Sequence, residues 1–138
     1  MKIQRLILTL LALTFALAPQ SLTTASAARK KEYSARLLSP KAGEILMPGQ
    51  VVRVEWTTDF PDVDLTMCET EILLSLDGGL TTFMWITSER DPTVQHFNWT
   101  VPKAPTKMAV LDIRFGCLGT YPETASPQVQ STFVIGGN

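Results

Sequence analysis

Apolar and polar residues alternate with a period of two along most of this chain. Val52, Val54 and Trp56 are separated by Arg53 and Glu55, as in a strand with one buried and one wet face. Ile72, Leu74 and Leu76 share one parity. Phe97, Trp99 and Val101 share another, with Asn98 and Thr100 facing away. Ala109, Leu111, Ile113 and Phe115 alternate with Val110, Asp112 and Arg114, and Phe133 and Ile135 close the pattern. No stretch sustains the periodicity of an amphipathic helix.

Seven strands are predicted, near Arg36–Ser39, Gln50–Trp56, Glu69–Leu76, Phe83–Ser88, His96–Val101, Ala109–Gly116 and Gln130–Ile135. Turn formers punctuate them: Pro40 with Gly43, Pro48-Gly49, Pro61-Asp62, Asp77-Gly78-Gly79, Asp91-Pro92, Pro102 with Pro105, and Pro122 with Pro127. Short strands at this spacing predict one all-β domain, a two-sheet antiparallel sandwich.

Asp77-Gly78-Gly79 invites comparison with a phosphate-binding loop. Such a loop aims backbone N–H groups and a helix N-terminus at the anion. Here no helix follows and no lysine stands close by. Asp-Gly is instead a hairpin signal, because such turns need positive φ where a side chain is costly. The segment is expected to turn a corner between strands.

The first 27 residues break the pattern. Lys2 and Arg5 precede an apolar run over Leu6–Ala18, and Ala25-Ser26-Ala27 supplies the small residues of a cleavage site. That run is shorter than the ~20 residues a membrane-spanning helix requires. The expectation is a cleaved signal peptide over 1–27, a short basic stub over 28–36 and one domain over 37–138. The product would be secreted or periplasmic, with no transmembrane segment. Removing Lys2 and Arg5 from 12 basic side chains leaves 10 against 13 acidic ones, a net charge of −3. That balance argues against nucleic acid as a partner.

Three segments carry a family resemblance: "SPKAGEILMPGQVVRVEW" (Ser39–Trp56), "EILLSLDGGLTTFMWI" (Glu71–Ile86) and "HFNWTVP" (His96–Pro102). Together they resemble the immunoglobulin-like domain of many secreted bacterial proteins. They are also similar to the N-terminal domain of Ser-Thr-rich glycolipid-anchored and yeast cell-wall synthesis (KNH-type) proteins. The resemblance spans roughly Leu37–Ile135 and implies a seven-stranded immunoglobulin-like (fibronectin III-like) β-sandwich. It further implies extracellular, non-catalytic association with surfaces or carbohydrate, and it transfers no catalytic residue. Phe83 and Trp85 stand slightly displaced from the aromatic position that usually follows the Asp-Gly-Gly turn.

The residues themselves offer little chemistry. His96 is the sole histidine, no Gly-x-Ser-x-Gly elbow appears, and Cys68 and Cys117 have no evident His–Asn partners. No catalysis, cofactor or metal site is therefore expected. Asp59, Asp62, Asp64, Glu69 and Glu71 crowd one loop where calcium could bind. The ordered Asp-x-Asp-x-Asp-Gly spacing is missing, however, so a solvated loop is the simpler expectation. Asn98-Trp99-Thr100 matches the N-glycosylation pattern and, behind a bacterial-looking leader, is expected to be unused.

Trp56, Phe97 and Trp99 fall on core parity. Phe83, Met84, Trp85 and Ile86 are consecutive and apolar, so at least one must point away from the core. They form the candidate contact surface, since exposed apolar patches tend to mark partner sites. The expected partner is a protein or cell surface, as in adhesion, with extracellular glycan as the alternative.

Cys68 and Cys117 are expected to pair. Export leads to an oxidising compartment, and both cysteines have core parity. In an immunoglobulin-like sandwich the third and sixth strands are antiparallel neighbours, which would put the start of one beside the end of the other. A pair of buried free thiols is the alternative.

Overall fold

The alternating segments become strands in the computed structural model, which describes residues 30–137. In chain order they are β1 (Ser34–Ser39), β2 (Ile45–Leu46), β3 (Val51–Asp59), β4 (Cys68–Ser75), β5 (Met84–Arg90), β6 (His96–Thr100), β7 (Thr106–Cys117), β8 (Tyr121–Ala125) and β9 (Phe133–Ile135). The described residues contain no α-helix, only a 3-10 turn at Leu65–Met67 capped by Asp64. No helix among them is long and apolar enough to cross a membrane. The leader expected over 1–27 lies outside the described residues.

A small sheet runs β1-β3-β6 and a large one runs β2-β9-β7-β4-β5, with β8 also paired to β7. β7 is the longest strand and organises the large sheet. β4 accompanies it from Ser75 opposite Val110 to Cys68 opposite Cys117, while β9 and β8 share its other side.

Two expectations need correction. The described residues form nine strands, not seven. β2 is two residues long, too short to show a period, and β8 reads Tyr-Pro-Glu-Thr-Ala, where proline hides the alternation. Nor is the pairing purely antiparallel, because β2 lies parallel to β9. Gly43 N–H donates to the Thr132 carbonyl, and Gly136 N–H to the Leu46 carbonyl, fixing that short parallel ladder.

The alternation buries one face of each sheet, and both faces contribute to a single apolar cluster. Leu37, Val54, Trp56, Phe97 and Trp99 come from the small sheet. Ile72, Leu74, Leu111, Ile113, Phe115, Phe133 and Ile135 come from the large one. The Trp99 and Phe133 rings meet edge to face across the two layers at 6.2 Å. The core placement expected for Trp56, Phe97 and Trp99 is observed.

Residues 33–36 of the 28–36 segment take part in the fold: β1 begins at Ser34. Tyr33 is buried and its ring stacks on Phe115 at 5.1 Å. Its hydroxyl donates to the Ile113 carbonyl at 2.9 Å, so the phenol's polar end is satisfied inside the core. Burial, then the nearby Asp112 carboxylate, pushes its pKa well above the ordinary tyrosine value.

Candidate functional site

The sheet register decides which way the candidate contact residues point. Leu73 lies opposite Trp85 between β4 and β5, and opposite Asp112 between β4 and β7. Its neighbours Ile72 and Leu74 face the core, so Leu73 and Trp85 share the outer face of the large sheet. Val110, opposite Ser75, is on that same face. Leu73 and Val110 are only 2% and 3% exposed, yet neither belongs to the core cluster. The large sheet therefore carries apolar groups on both sides.

Trp85 is 62% exposed, Phe83 53% and Met84 40%, while Ile86 is half-buried against the core. Phe83 and Trp85 share the exposed face and Ile86 the inner one, as alternation gives, and Met84, opposite the buried Leu74, is partly uncovered at the sheet margin. β5 is bulged twice against β4: Thr70 and Ile72 lie opposite Arg90 and Thr87, and Ile72 and Leu73 lie opposite Thr87 and Trp85. Each bulge inserts an unpaired residue and breaks the parity of the strand. Glu89, in the first bulge, has a φ of 52°, a left-handed conformation uncommon for a residue with a side chain.

Asp77-Gly78-Gly79 belongs to the eight-residue connection 76–83 between β4 and β5, which is longer than a tight two-residue turn. Gly78 and Gly79 have φ of 77° and 92°, and a Cβ on Gly78 would come within 2.9 Å of the Met108 methyl. Asp77 holds the loop together. Its carboxylate accepts from Ser75 Oγ at 2.6 Å, from Thr81 N–H at 2.9 Å and from Thr81 Oγ1 at 2.6 Å. The Ser75 and Thr81 hydroxyls lower its pKa to about 2, because they stabilise the ionised form. Leu80, on the same loop, and Met108, beside Gly78, are also exposed.

The other sequence candidates have local roles. Cys68 and Cys117 are disulfide-bonded, and they sit opposite each other in the β4–β7 register as expected. The bridge lies within one sheet. In the acidic loop, Asp64 accepts from Thr66 N–H and Oγ1, and Lys31 Nζ lies 3.7 Å from Asp59. Among the described residues no group of three or more His, Cys, Asp or Glu side chains converges to hold a metal. His96 is exposed at the start of β6, and its carbonyl accepts from Arg90 Nη2 at 3.3 Å.

Sequence reasoning missed the backbone edge of β6, next to an open cleft of about 510 Å³ between β5 and β6. Arg53, Ile86, Thr87, Arg90, His96 and Asn98 contribute to its lining. The Arg90 guanidinium lies 5.4 Å from the centroid of the Phe97 ring, so a cation bridges the two sheets. A strand-edge position leaves no mark in a one-dimensional pattern, although Arg90 before the Asp91-Pro92 turn was legible. Compared with known proteins, the chain matches no family, no curated sequence and no solved structure.

Proposed function

We propose that this chain is an exported, non-catalytic binding module with an immunoglobulin-like sandwich fold, and that it contacts a protein partner through Phe83, Met84 and Trp85. The observation that carries this reading is the exposure of those three consecutive apolar side chains where the 76–83 connection runs into β5 at the sheet margin. A monomeric domain gains nothing from holding them in water, and patches of this kind mark partner sites. Met84 puts a flexible thioether between the two aromatic residues, which suits a protein contact better than the flat aromatic platform used for sugars.

The strand order supports the fold assignment. β1-β3-β6 facing β9-β7-β4-β5 is the connectivity of the A-B-E and G-F-C-C′ sheets of immunoglobulin-like domains. The disulfide departs from antibody domains, where the bridge crosses between sheets. A disulfide fits an oxidising compartment and so supports export.

The experiment is a pair of substitutions, Phe83→Ser and Trp85→Ser, read by binding and by thermal midpoint. Surface-exposed positions of this kind change stability by about 0.5 kcal/mol or less. Partner capture from the native secretome should be lost in the double variant while the thermal midpoint holds. Unfolding by both changes, or unchanged capture, would remove the assignment; retention of an immobilised glycan panel by the wild type would transfer it to carbohydrate.

A further inference from the structure

The end strands of the two sheets, β1 and β6 in the small one and β2 and β5 in the large one, are treated differently. Along β1, side chains occupy the outward backbone groups. Ala35 N–H donates to Ser126 Oγ at 3.0 Å, and Leu37 N–H donates to Gln130 Oε1 at 2.7 Å. The Ala35 carbonyl accepts from both Ser126 Oγ and Gln130 Nε2 at 2.9 Å. β5 is interrupted by two bulges, and β2 is only two residues long. Each of these is a known way of making a sheet edge unable to accept another strand.

β6 has none of these protections. It pairs with β3 in unbroken register from Glu55 opposite His96 to Val51 opposite Thr100. Trp56 N–H donates to the Gln95 carbonyl and Val101 N–H to the Gln50 carbonyl, which sets the phase of the ladder. Gln95, Phe97, Trp99 and Val101 therefore turn their backbone groups toward β3, and His96, Asn98 and Thr100 turn theirs outward. Only the His96 carbonyl is engaged, by Arg90; the N–H and C=O of Asn98 and Thr100 have no partner among the described residues.

The space beside this edge is cationic in a chain that is acidic. Arg53 and Arg90 line the cleft and no carboxylate does. Arg53 is paired along its own strand with Glu55, whereas Arg90 makes no ion pair among the described residues. Two buried polar atoms here, Arg90 Nε and Thr87 Oγ1, have no hydrogen-bond partner, a cost that folded proteins seldom leave standing.

We infer that the β6 edge is a strand-acceptor site, which takes an extended acidic peptide from another protein as a fourth strand of the small sheet. The peptide backbone would exchange hydrogen bonds with Asn98 and Thr100 at the usual interstrand spacing of about 4.8 Å. One of its carboxylates would meet the Arg90 guanidinium, for which charge-assisted pairing is the strong form of hydrogen bond. The site lies on a different edge from the apolar contact surface and stands independently of it.

The probe is a displayed library of random twelve-residue peptides selected on the immobilised domain, followed by amide hydrogen exchange with the enriched peptide. Enrichment of Asp- and Glu-bearing sequences is expected, with exchange at the Asn98 and Thr100 amides slowed at least about tenfold on binding. Asn98→Pro removes one outward N–H at a position where an edge strand tolerates proline, and should weaken binding about tenfold. Should that variant not fold, peptides N-methylated at alternate residues against the wild type give the same reading. The proposal is overturned by a library without acidic enrichment, or by peptide binding that leaves these two amides unprotected. Protection that rises with protein concentration alone overturns it too, since a second copy would then fill the edge.

Discussion

At the residue scale, a few side chains carry disproportionate weight. Trp56 is buried between the sheets and packs edge-on to Phe97 at 6.1 Å, while its indole Nε1 has no hydrogen-bond partner. Its contribution is therefore apolar packing. Trp56→Ala is expected to cost about 3–5 kcal/mol by chemical denaturation, as truncation of large core aromatics does. A loss below about 1 kcal/mol would show that the indole does not fill the core. Asp77 acts through its charge. Its carboxyl is held near pKa 2, below the ordinary 3.8, by the Ser75 and Thr81 hydrogen bonds. A depressed folded-state pKa stabilises the fold above the unfolded value, and that stabilisation is lost as pH falls from about 3.8 toward 2. Asp77→Asn should lower the thermal midpoint at neutral pH and narrow the gap from wild type near pH 2. An equal gap at both pH values would assign the loop's order to its glycines instead.

At the element scale, β5 departs furthest from its sequence pattern. The alternation of Phe83 and Trp85 against Met84 and Ile86 predicts that one pair faces the core. Phe83 and Trp85 take the exposed face and Ile86 packs against the core, while both bulges fall beyond them, between Trp85 and Arg90, and shift the parity of that later stretch. Bulges are set by how β5 must follow β4 around the sheet margin, and no period of two can announce them. Glu89 shows the local strain of this arrangement, because its left-handed φ suits glycine better. Glu89→Gly should raise stability by about 0.5–1 kcal/mol in urea titration, as relief of a left-handed side chain outweighs the added chain entropy. Destabilisation instead would mean that the Glu89 side chain makes a contact worth more than the strain.

At the scale of the whole molecule, the disulfide ties the two strands on which the large sheet is built. Cys68 begins β4 and Cys117 ends β7, 49 residues apart in sequence. Closing a loop of that length stabilises by roughly 4 kcal/mol if the effect is unfolded-chain entropy. Reduction, or a Cys68→Ala/Cys117→Ala double variant, should lower the unfolding free energy by about that amount with β structure retained by circular dichroism. A loss under about 1 kcal/mol would indicate that the β4–β7 ladder already restricts the unfolded chain.

Period-two alternation by itself determined the all-β class, the placement of Trp56, Phe97 and Trp99 in the core, and the common inward parity of Cys68 and Cys117. These follow from the pleat, which sends successive side chains to opposite faces wherever a strand stays regular. Tertiary structure alone decided the rest. It placed β2 parallel to β9, recruited Tyr33 into the core, and buried Leu73 and Val110 on the outer face of the large sheet. It also closed the β1 edge with Ser126 and Gln130 while leaving that of β6 open. The reason is that these features depend on which strand lies beside which, and pairing between distant segments leaves no periodic trace along the chain.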